Sequence, residues 1–367
     1  MTNHDRPRLI ALDWGTSSCR AYLLGTGGVV LAERREPAGV MAVTTTAAES
    51  GTPVALAFER TFDGLAGGWL ASHPGLPVIA CGMVGSNHGW AQAEYRTLPA
   101  DLAAADVVLT PVRTAAGTAA GTAAGTAAGT AAGTIAHIIP GLLASAGLPG
   151  VMRGEETQVL GALCGELAAG TFDRSAERLV LLPGTHSKWV QVTGTTVTGF
   201  STWMTGEIYA LLTADSTLAR MAKPADRPDW AAFERGLDVA ASPVGRGGIL
   251  NTAFSARTLV LTGQLAPEQV EDYLSGLLIG HELTGVAASW KGREHGSGQN
   301  NELTGGLKGA PPVLLCGEEN LNARYRRALE RRGIQIAGAV THSAPAGMWL
   351  VAQATGLLER LTNEAVS

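Results

Sequence analysis

The stretch Leu9–Leu24 reads LIALDWGTSSCRAYLL: an apolar run, a short polar turn and a second apolar run. Leucine, isoleucine and tyrosine on either side of a glycine-containing turn predict a β-hairpin. The turn is unusual for a plain hairpin. Gly15 permits backbone conformations closed to residues with a Cβ, and three hydroxyls, Thr16, Ser17 and Ser18, follow it directly. Outward-pointing N–H and hydroxyl groups on such a turn form a concave anion site. Asp13, at the carboxyl end of the first predicted strand, stands where a carboxylate could hold a metal ion facing that anion. Asp and Gly are also ordinary turn formers, so this segment alone leaves both readings open.

A similar stretch returns at Leu179–Val192 as LVLLPGTHSKWVQV, with Gly184 aligned on Gly15 and Thr185 on Thr16, 169 residues later. Both copies read apolar strand, Gly-Thr-x-Ser turn, apolar strand. Self-similarity on this scale points to a duplicated unit, with two turns facing one another across a cleft. Leu182 takes the place of Asp13, so only the first turn carries the carboxylate. The second carries Lys188 instead.

A chain of 367 residues is long enough for two domains, each with its own core. Hydrophobic residues make up 46% and charged residues 16%, a globular composition. A net charge of −5 argues against nucleic acid or an anionic membrane as the main partner. Cys19, Cys81, Cys164 and Cys316 are isolated and form no CxxC pair, as expected of reduced thiols in the cytoplasm. The N-terminal MTNHDRPR has no apolar signal core, and no apolar run reaches the ~18 residues of a membrane span. A soluble cytoplasmic protein is the expectation. A homo-oligomer is left open.

Outward from the first hairpin, Gly28–Arg34 predicts a third strand and Pro53–Ser72 a helix with Leu56, Phe58, Phe62, Leu65 and Trp69 as its buried stripe. PVIACG at Pro77–Gly82 predicts a buried strand feeding the loop GMVGSNHGW, at the strand end where α/β sheets gather ligands. Residues 115–134 are AAGT five times over, with no large apolar side chain to stack, and read as an expansion inside a surface loop. Helices are expected over Val151–Glu166, Thr205–Met221, Pro228–Ala241 and Pro267–Trp290, with a surface loop at Gly292–Pro311. Strands Pro312–Cys316 and Ile334–Val340 flank a basic helix, and a last helix spans Ala346–Leu361.

Strand meanders followed by alternating helices and strands, twice over, predict an α/β chain of two actin-like, ribonuclease H-like ATPase domains, 1–178 and 179–367, with the active site in the interdomain cleft. The motifs LIALDWGTSSCR, CGMVGSNHGW, IIPGL, VMRGEETQ, LPGTHSKWV, MTGE, LSGLLIG and LNARY, in this order, resemble the 2-dehydro-3-deoxygalactonokinase family. The resemblance covers nearly the whole chain apart from the AAGT run and residues 292–311. It implies a kinase that uses ATP and Mg²⁺ to phosphorylate the 6-hydroxyl of 2-dehydro-3-deoxygalactonate, a small-molecule partner. A same-fold kinase for another sugar, or a non-catalytic actin-like switch, is the alternative. The Glu155–Glu156 pair and the polar GSNHGW loop count against the switch.

Phosphoryl transfer depends mainly on positioning and charge neutralisation, and this assigns the residues. Asp13 would hold Mg²⁺, largely through water. Gly15, Thr16, Ser17 and Ser18 would cradle the β- and γ-phosphates, with Gly184, Thr185, His186 and Ser187 as the opposing turn. Arg20 or Lys188 would neutralise the transferred group, and His186 reads better as a turn-filling donor than as an acid or base. The resemblance implies an acidic base opening a helix, which places Glu155 first and Glu156 second in RGEET. Gly85, Ser86, Asn87 and His88 resemble the sugar-acid loop, with Arg153 as carboxylate partner and Glu207 towards sugar hydroxyls. Gly317, Glu318 and Asn322 resemble the adenosine segment.

Overall fold

The computed structural model describes residues 6–114, 135–168, 170, 172–291, 307 and 309–359. The AAGT expansion, and the expected surface loop apart from its last residues, lie outside them. The chain forms two compact units: Met1–Ala176, Val192–Gly199 and His342–Ser367 make the first, Glu177–Gln191 and Phe200–Thr341 the second.

The first unit opens with the expected meander of β1 (Pro7–Trp14), β2 (Cys19–Gly25) and β3 (Val30–Glu36). Two helices follow, α1 (Val40–Ser50) and α2 (Val54–Ser72), then β4 (Val78–Cys81). Short strands come next: β5 (Tyr95–Thr97), β6 (Ala100–Asp101), β7 (Thr110–Arg113), β8 (Ile135–Ile138), β9 (Gly141–Ala144) and β10 (Gly150–Met152). They lead to α3 (Glu155–Ala162) and α4 (Cys164–Ala168). The main sheet runs β3-β2-β1-β4-β8-β7. β1 is antiparallel to β2, which sets Arg20 opposite Asp13, and β4 and β8 continue parallel from β1. Its core joins Ile10, Leu12 and Trp14 to the α2 stripe Phe58, Phe62 and Leu65, all essentially inaccessible. Each large apolar side chain taken from water contributes about 1.5–3 kcal/mol, so this face holds the strand ends in place.

The second unit is built on β11 (Glu177–Leu182), β12 (Ser187–Thr193) and β13 (Thr196–Trp203), with α5 (Thr205–Ala214) and α6 (Trp230–Ala241) after them. Two short helices, α7 (Ile249–Thr252) and α8 (Ser255–Leu261), precede the long α9 (Val270–Lys291). β14 (Val313–Cys316), α10 (Glu319–Arg331) and β15 (Ile336–Val340) complete it, and α11 (Ala344–Ala354) belongs to the first unit. The sheet runs β15-β14-β11-β12-β13, with β14 parallel to β11 and β15 parallel to β14. Beyond it, β6 pairs with the part of β13 that counts with the first unit, Thr196 and Val197. Strand for strand, 13-12-11-14-15 repeats the 3-2-1-4-8 order of the first sheet. This is the actin-like, ribonuclease H-like α/β architecture, present twice.

Two expected elements end early, for local reasons. The helix expected to reach Met221 stops at Ala214, because the Ser216 hydroxyl accepts the N–H groups of Leu218 (2.9 Å) and Ala219 (3.3 Å) and turns the chain. The last helix starts at Ala344 and stops at Ala354, where Gly356 is left-handed (φ 68°). No helix among the described residues is long and apolar enough to cross a membrane.

Candidate active site

In the first unit, three segments distant in sequence meet backbone to backbone. Gly82 ends β4 with φ 94°, and a Cβ there would lie 2.7 Å from the Trp14 carbonyl oxygen. Gly154, φ 103°, opens α3, and its own Cβ would stand 3.0 Å from the Gly82 Cα. Only glycine satisfies both the left-handed backbone and the contact. This stacking brings together the ends of β1 and β4, the loop after β4 and the start of α3. Asp13, Ser86, Arg153, Glu155 and Glu156 share that neighbourhood.

The first turn spans residues 15–18 and is closed by the Gly15 N–H on the Ser18 carbonyl (3.0 Å). The N–H groups of Val40 and Met41 at the start of α1 donate to the Gly15 and Thr16 carbonyls at 3.0 and 3.2 Å. The Gly15, Thr16 and Ser18 carbonyls are thereby occupied, while the Thr16 and Ser17 residues stay exposed. Asp13 is half-buried. Burial pushes its carboxyl above the ordinary value; Arg20 and the Cys81 thiol (Sγ 3.9 Å from Oδ1) oppose the shift, and the Glu155 charge adds to it. A partly desolvated carboxylate beside a second acid suits a cation. Among the described residues no three His, Cys, Asp or Glu side chains surround a metal position. A single carboxylate beside a turn with exposed hydroxyls is a donor set that fits Mg²⁺, an ion that keeps several waters.

The two glutamates fold back on the helix start. Glu155 Oε2 accepts the Arg153 backbone N–H at 2.9 Å; Glu156 Oε2 accepts that of Gly154 at 2.7 Å, and its Oε1 accepts the Thr157 hydroxyl at 3.0 Å. Glu155 is half-buried and Glu156 only 3% exposed. Burial, then the charge of Glu155, pushes the Glu156 carboxyl up to about 7.

Arg153 is 8% exposed. Its Nη2 donates to the Ala93 carbonyl at 2.7 Å and its guanidinium carbon lies 4.3 Å from the centre of the Tyr95 ring. Nε and Nη1 are buried with no hydrogen-bond partner. Nη1 would be 2.8 Å from a Cβ on Gly85, so the missing side chain leaves the fork uncovered on that side. Ser86 is buried, its hydroxyl accepting the His88 N–H (3.3 Å), whereas Asn87 and His88 are exposed.

In the second unit the turn spans residues 183–186. The Glu207 N–H at the start of α5 donates to the Thr185 carbonyl at 2.9 Å, and a Cβ on Gly206 would lie 2.3 Å from the Gly184 carbonyl oxygen. His186 Nε2 and Glu207 are hydrogen-bonded to each other. Lys188 is 4% exposed and donates to the His186 carbonyl at 3.2 Å. Ser187 departs from the expected arrangement. It is the first residue of β12 rather than part of the turn, and its hydroxyl bonds inward to the Tyr325 hydroxyl (2.8 Å). Gly317 follows β14, the exposed Glu318 precedes α10, and the fully buried Asn322 donates to the Gly317 carbonyl at 2.7 Å, its Oδ1 unpartnered.

A family profile described as 2-keto-3-deoxy-galactonokinase matches residues 13–351. The chain belongs to the 2-keto-3-deoxy-galactonokinase family. It is 32% identical over 352 residues to the 2-dehydro-3-deoxygalactonokinase of Escherichia coli (strain K12), covering 95% of this chain and 98% of that one. Identity is 36% over 330 residues, 89% of this chain and 90% of the other, to the Rhizobium meliloti (strain 1021) protein named "Probable 2-dehydro-3-deoxygalactonokinase DgoK1". A crystal structure from Sinorhizobium meliloti described under the same kinase name is 33% identical, with a TM-score of 0.70 over 94% of this chain and 98% of that one. For a 2-keto-3-deoxy-galactonokinase family member, sequence reading missed four of the structural supports: Gly39, where a Cβ would lie 2.3 Å from the Thr16 carbonyl oxygen, Gly206 against the second turn, Tyr95 against Arg153, and the buried Glu282, which accepts the Trp189 indole N–H beyond the second turn. Gly206 lies inside the MTGE motif; the others carry no signal of period or spacing.

Proposed function

We propose that the chain transfers the γ-phosphate of ATP to the 6-hydroxyl of 2-dehydro-3-deoxy-D-galactonate, giving 2-dehydro-3-deoxy-6-phosphogalactonate in galactonate catabolism. The observation that supports the substrate class best is Arg153, a buried guanidinium with two nitrogens, Nε and Nη1, unpartnered and Nη1 beside Gly85. An unpaired buried cation is costly, and a sugar-acid carboxylate offers the planar acceptor that a guanidinium fork fits.

Asp13 holds Mg²⁺, whose chemistry when bound is to neutralise charge on the phosphates. The 15–18 turn offers N–H and hydroxyl donors to ATP phosphates, and Gly184, Thr185 and His186 do the same from the second unit. Lys188 or Arg20 supplies positive charge, and Gly317, Glu318 and Asn322 line the adenosine. Glu155 orients the 6-hydroxyl and receives its proton as the oxygen bonds to the γ-phosphorus and the bond to the ADP oxygen breaks. Glu155 is favoured over Glu156 because it is half-buried and close enough to Asp13 to shift its carboxyl. Glu207 towards sugar hydroxyls, with Asn87 and His88 on the exposed loop, completes the acceptor side.

The test is ADP release across 2-keto-3-deoxy acids, glucose, galactose and glycerol. The expected result is turnover with 2-dehydro-3-deoxygalactonate far above every neutral sugar. Preference for a neutral sugar would overturn the sugar-acid reading, and ATP turnover without an acceptor dependence would overturn the kinase reading.

A further inference from the structure

Glu282 lies in α9, only 2% exposed. Its Oε1 accepts the Trp189 indole N–H at 2.8 Å, and its Oε2 accepts the Tyr325 hydroxyl at 2.7 Å and the Thr205 hydroxyl. Ser187 bonds in turn to the Tyr325 hydroxyl. The three donors are neutral and come from three elements, β12, α10 and the start of α5. α10 carries Asn322 of the nucleotide segment, β12 continues directly from the nucleotide turn, and the start of α5 is bonded to that turn while its Glu207 side chain belongs to the acceptor side. Ser187 and Trp189 follow the Gly184-Thr185-His186 turn, Thr205 precedes the Glu207 N–H that bonds to Thr185, and Tyr325 stands one helical turn after Asn322.

We propose that Glu282 is a positioning residue for nucleotide binding, its carboxylate fixing the second turn, the start of α5 and α10 in one register. The inference rests on the nucleotide reading of those segments. A carboxylate accepts at both oxygens, so one side chain satisfies all three donors. Removing it leaves indole and hydroxyl donors buried without an acceptor, and each element then settles separately. Because Glu282 is buried in the second unit, it shapes the site without touching ligand.

The test uses the full chain with ADP as probe, measuring the ADP Kd by calorimetry and KM for ATP and for the sugar acid by steady-state kinetics. In Glu282→Gln one acceptor oxygen becomes an N–H₂ that either opposes the indole N–H or makes the two hydroxyls turn and accept, and ADP affinity and KM for ATP should both worsen about tenfold. KM for the sugar acid should change less, about threefold at most, through Glu207 on α5. Tyr325→Phe keeps the ring, removes one donor and should weaken ADP about threefold. That variant decides the matter if Glu282→Gln does not fold. A lowered Tm with unchanged ADP affinity, or an equal rise in both KM values, would overturn the positioning role. A wild-type chain that binds no ADP would overturn the nucleotide reading along with it.

Discussion

At the residue scale the two adjacent acids divide by environment. Glu155, half-buried, is the base in the proposed mechanism, and Glu155→Gln should lower kcat by roughly 10²–10⁴ with a smaller effect on KM. Glu156→Gln should be milder, and the reverse ranking in steady-state kinetics would hand the role to Glu156. Glu156 makes a separate prediction about stability. Its carboxyl is raised from the ordinary 4.5 to about 7 in the folded chain. A group raised on folding adds stability below its unfolded pKa and loses that addition as pH climbs through the folded value. Between pH 5 and pH 8 wild-type Tm should fall relative to that of Glu156→Gln, by a linkage on the order of 3 kcal/mol. Parallel Tm–pH curves would show that Glu156 stays charged. For Arg153, loss of a buried charged hydrogen bond costs about 1.5–3 kcal/mol, roughly 10- to 150-fold. Arg153→Ala should raise KM for the sugar acid by that factor and leave KM for ATP nearly unchanged. A rise in KM for ATP instead would move the guanidinium to the phosphates.

At the element scale both turns are held by a helix start laid against their carbonyls. α1 bonds to Gly15 and Thr16, and α5 bonds to Thr185. The hairpins were legible because turn chemistry and alternating apolar residues are local signals. The helix starts that brace them were not, since Gly39 and Gly206 matter only for what lies across from them. Gly206→Ala puts a Cβ 2.3 Å from the Gly184 carbonyl oxygen, and backbone on both sides has little room to yield. Overpacking of this kind costs about 1–3 kcal/mol. The expected outcome is a folded protein with lower Tm and weaker ATP use, read together by thermal melting and KM for ATP. Wild-type values for both would mean that α5 can slide without disturbing the turn.

At the scale of the whole molecule, the AAGT expansion joins β7 to β8, which pair antiparallel with Arg113 opposite Ile135. Complete excision of 115–134 would leave Thr114 alone to turn the chain, and hairpin connections take at least two residues. Removing 117–132 keeps Thr114, Ala115, Ala116, Gly133 and Thr134, an ordinary connection. Shortening the connection about fourfold should favour folding by ~1 kcal/mol, with kcat unchanged. A collapse of the thermal transition would show that the repeat packs against the first unit. Strand-turn-strand twice, the helical stripes and the glycine-hydroxyl turns were determined by sequence alone, because each is a pattern among neighbours along the chain. Which face Ser187 takes, how Gly82 and Gly154 stack on Trp14, what Arg153 leaves unpaired and why Glu282 is buried were decided only by tertiary structure. Each depends on atoms brought close in space from tens of residues away, where neither period nor spacing carries a record of the partner.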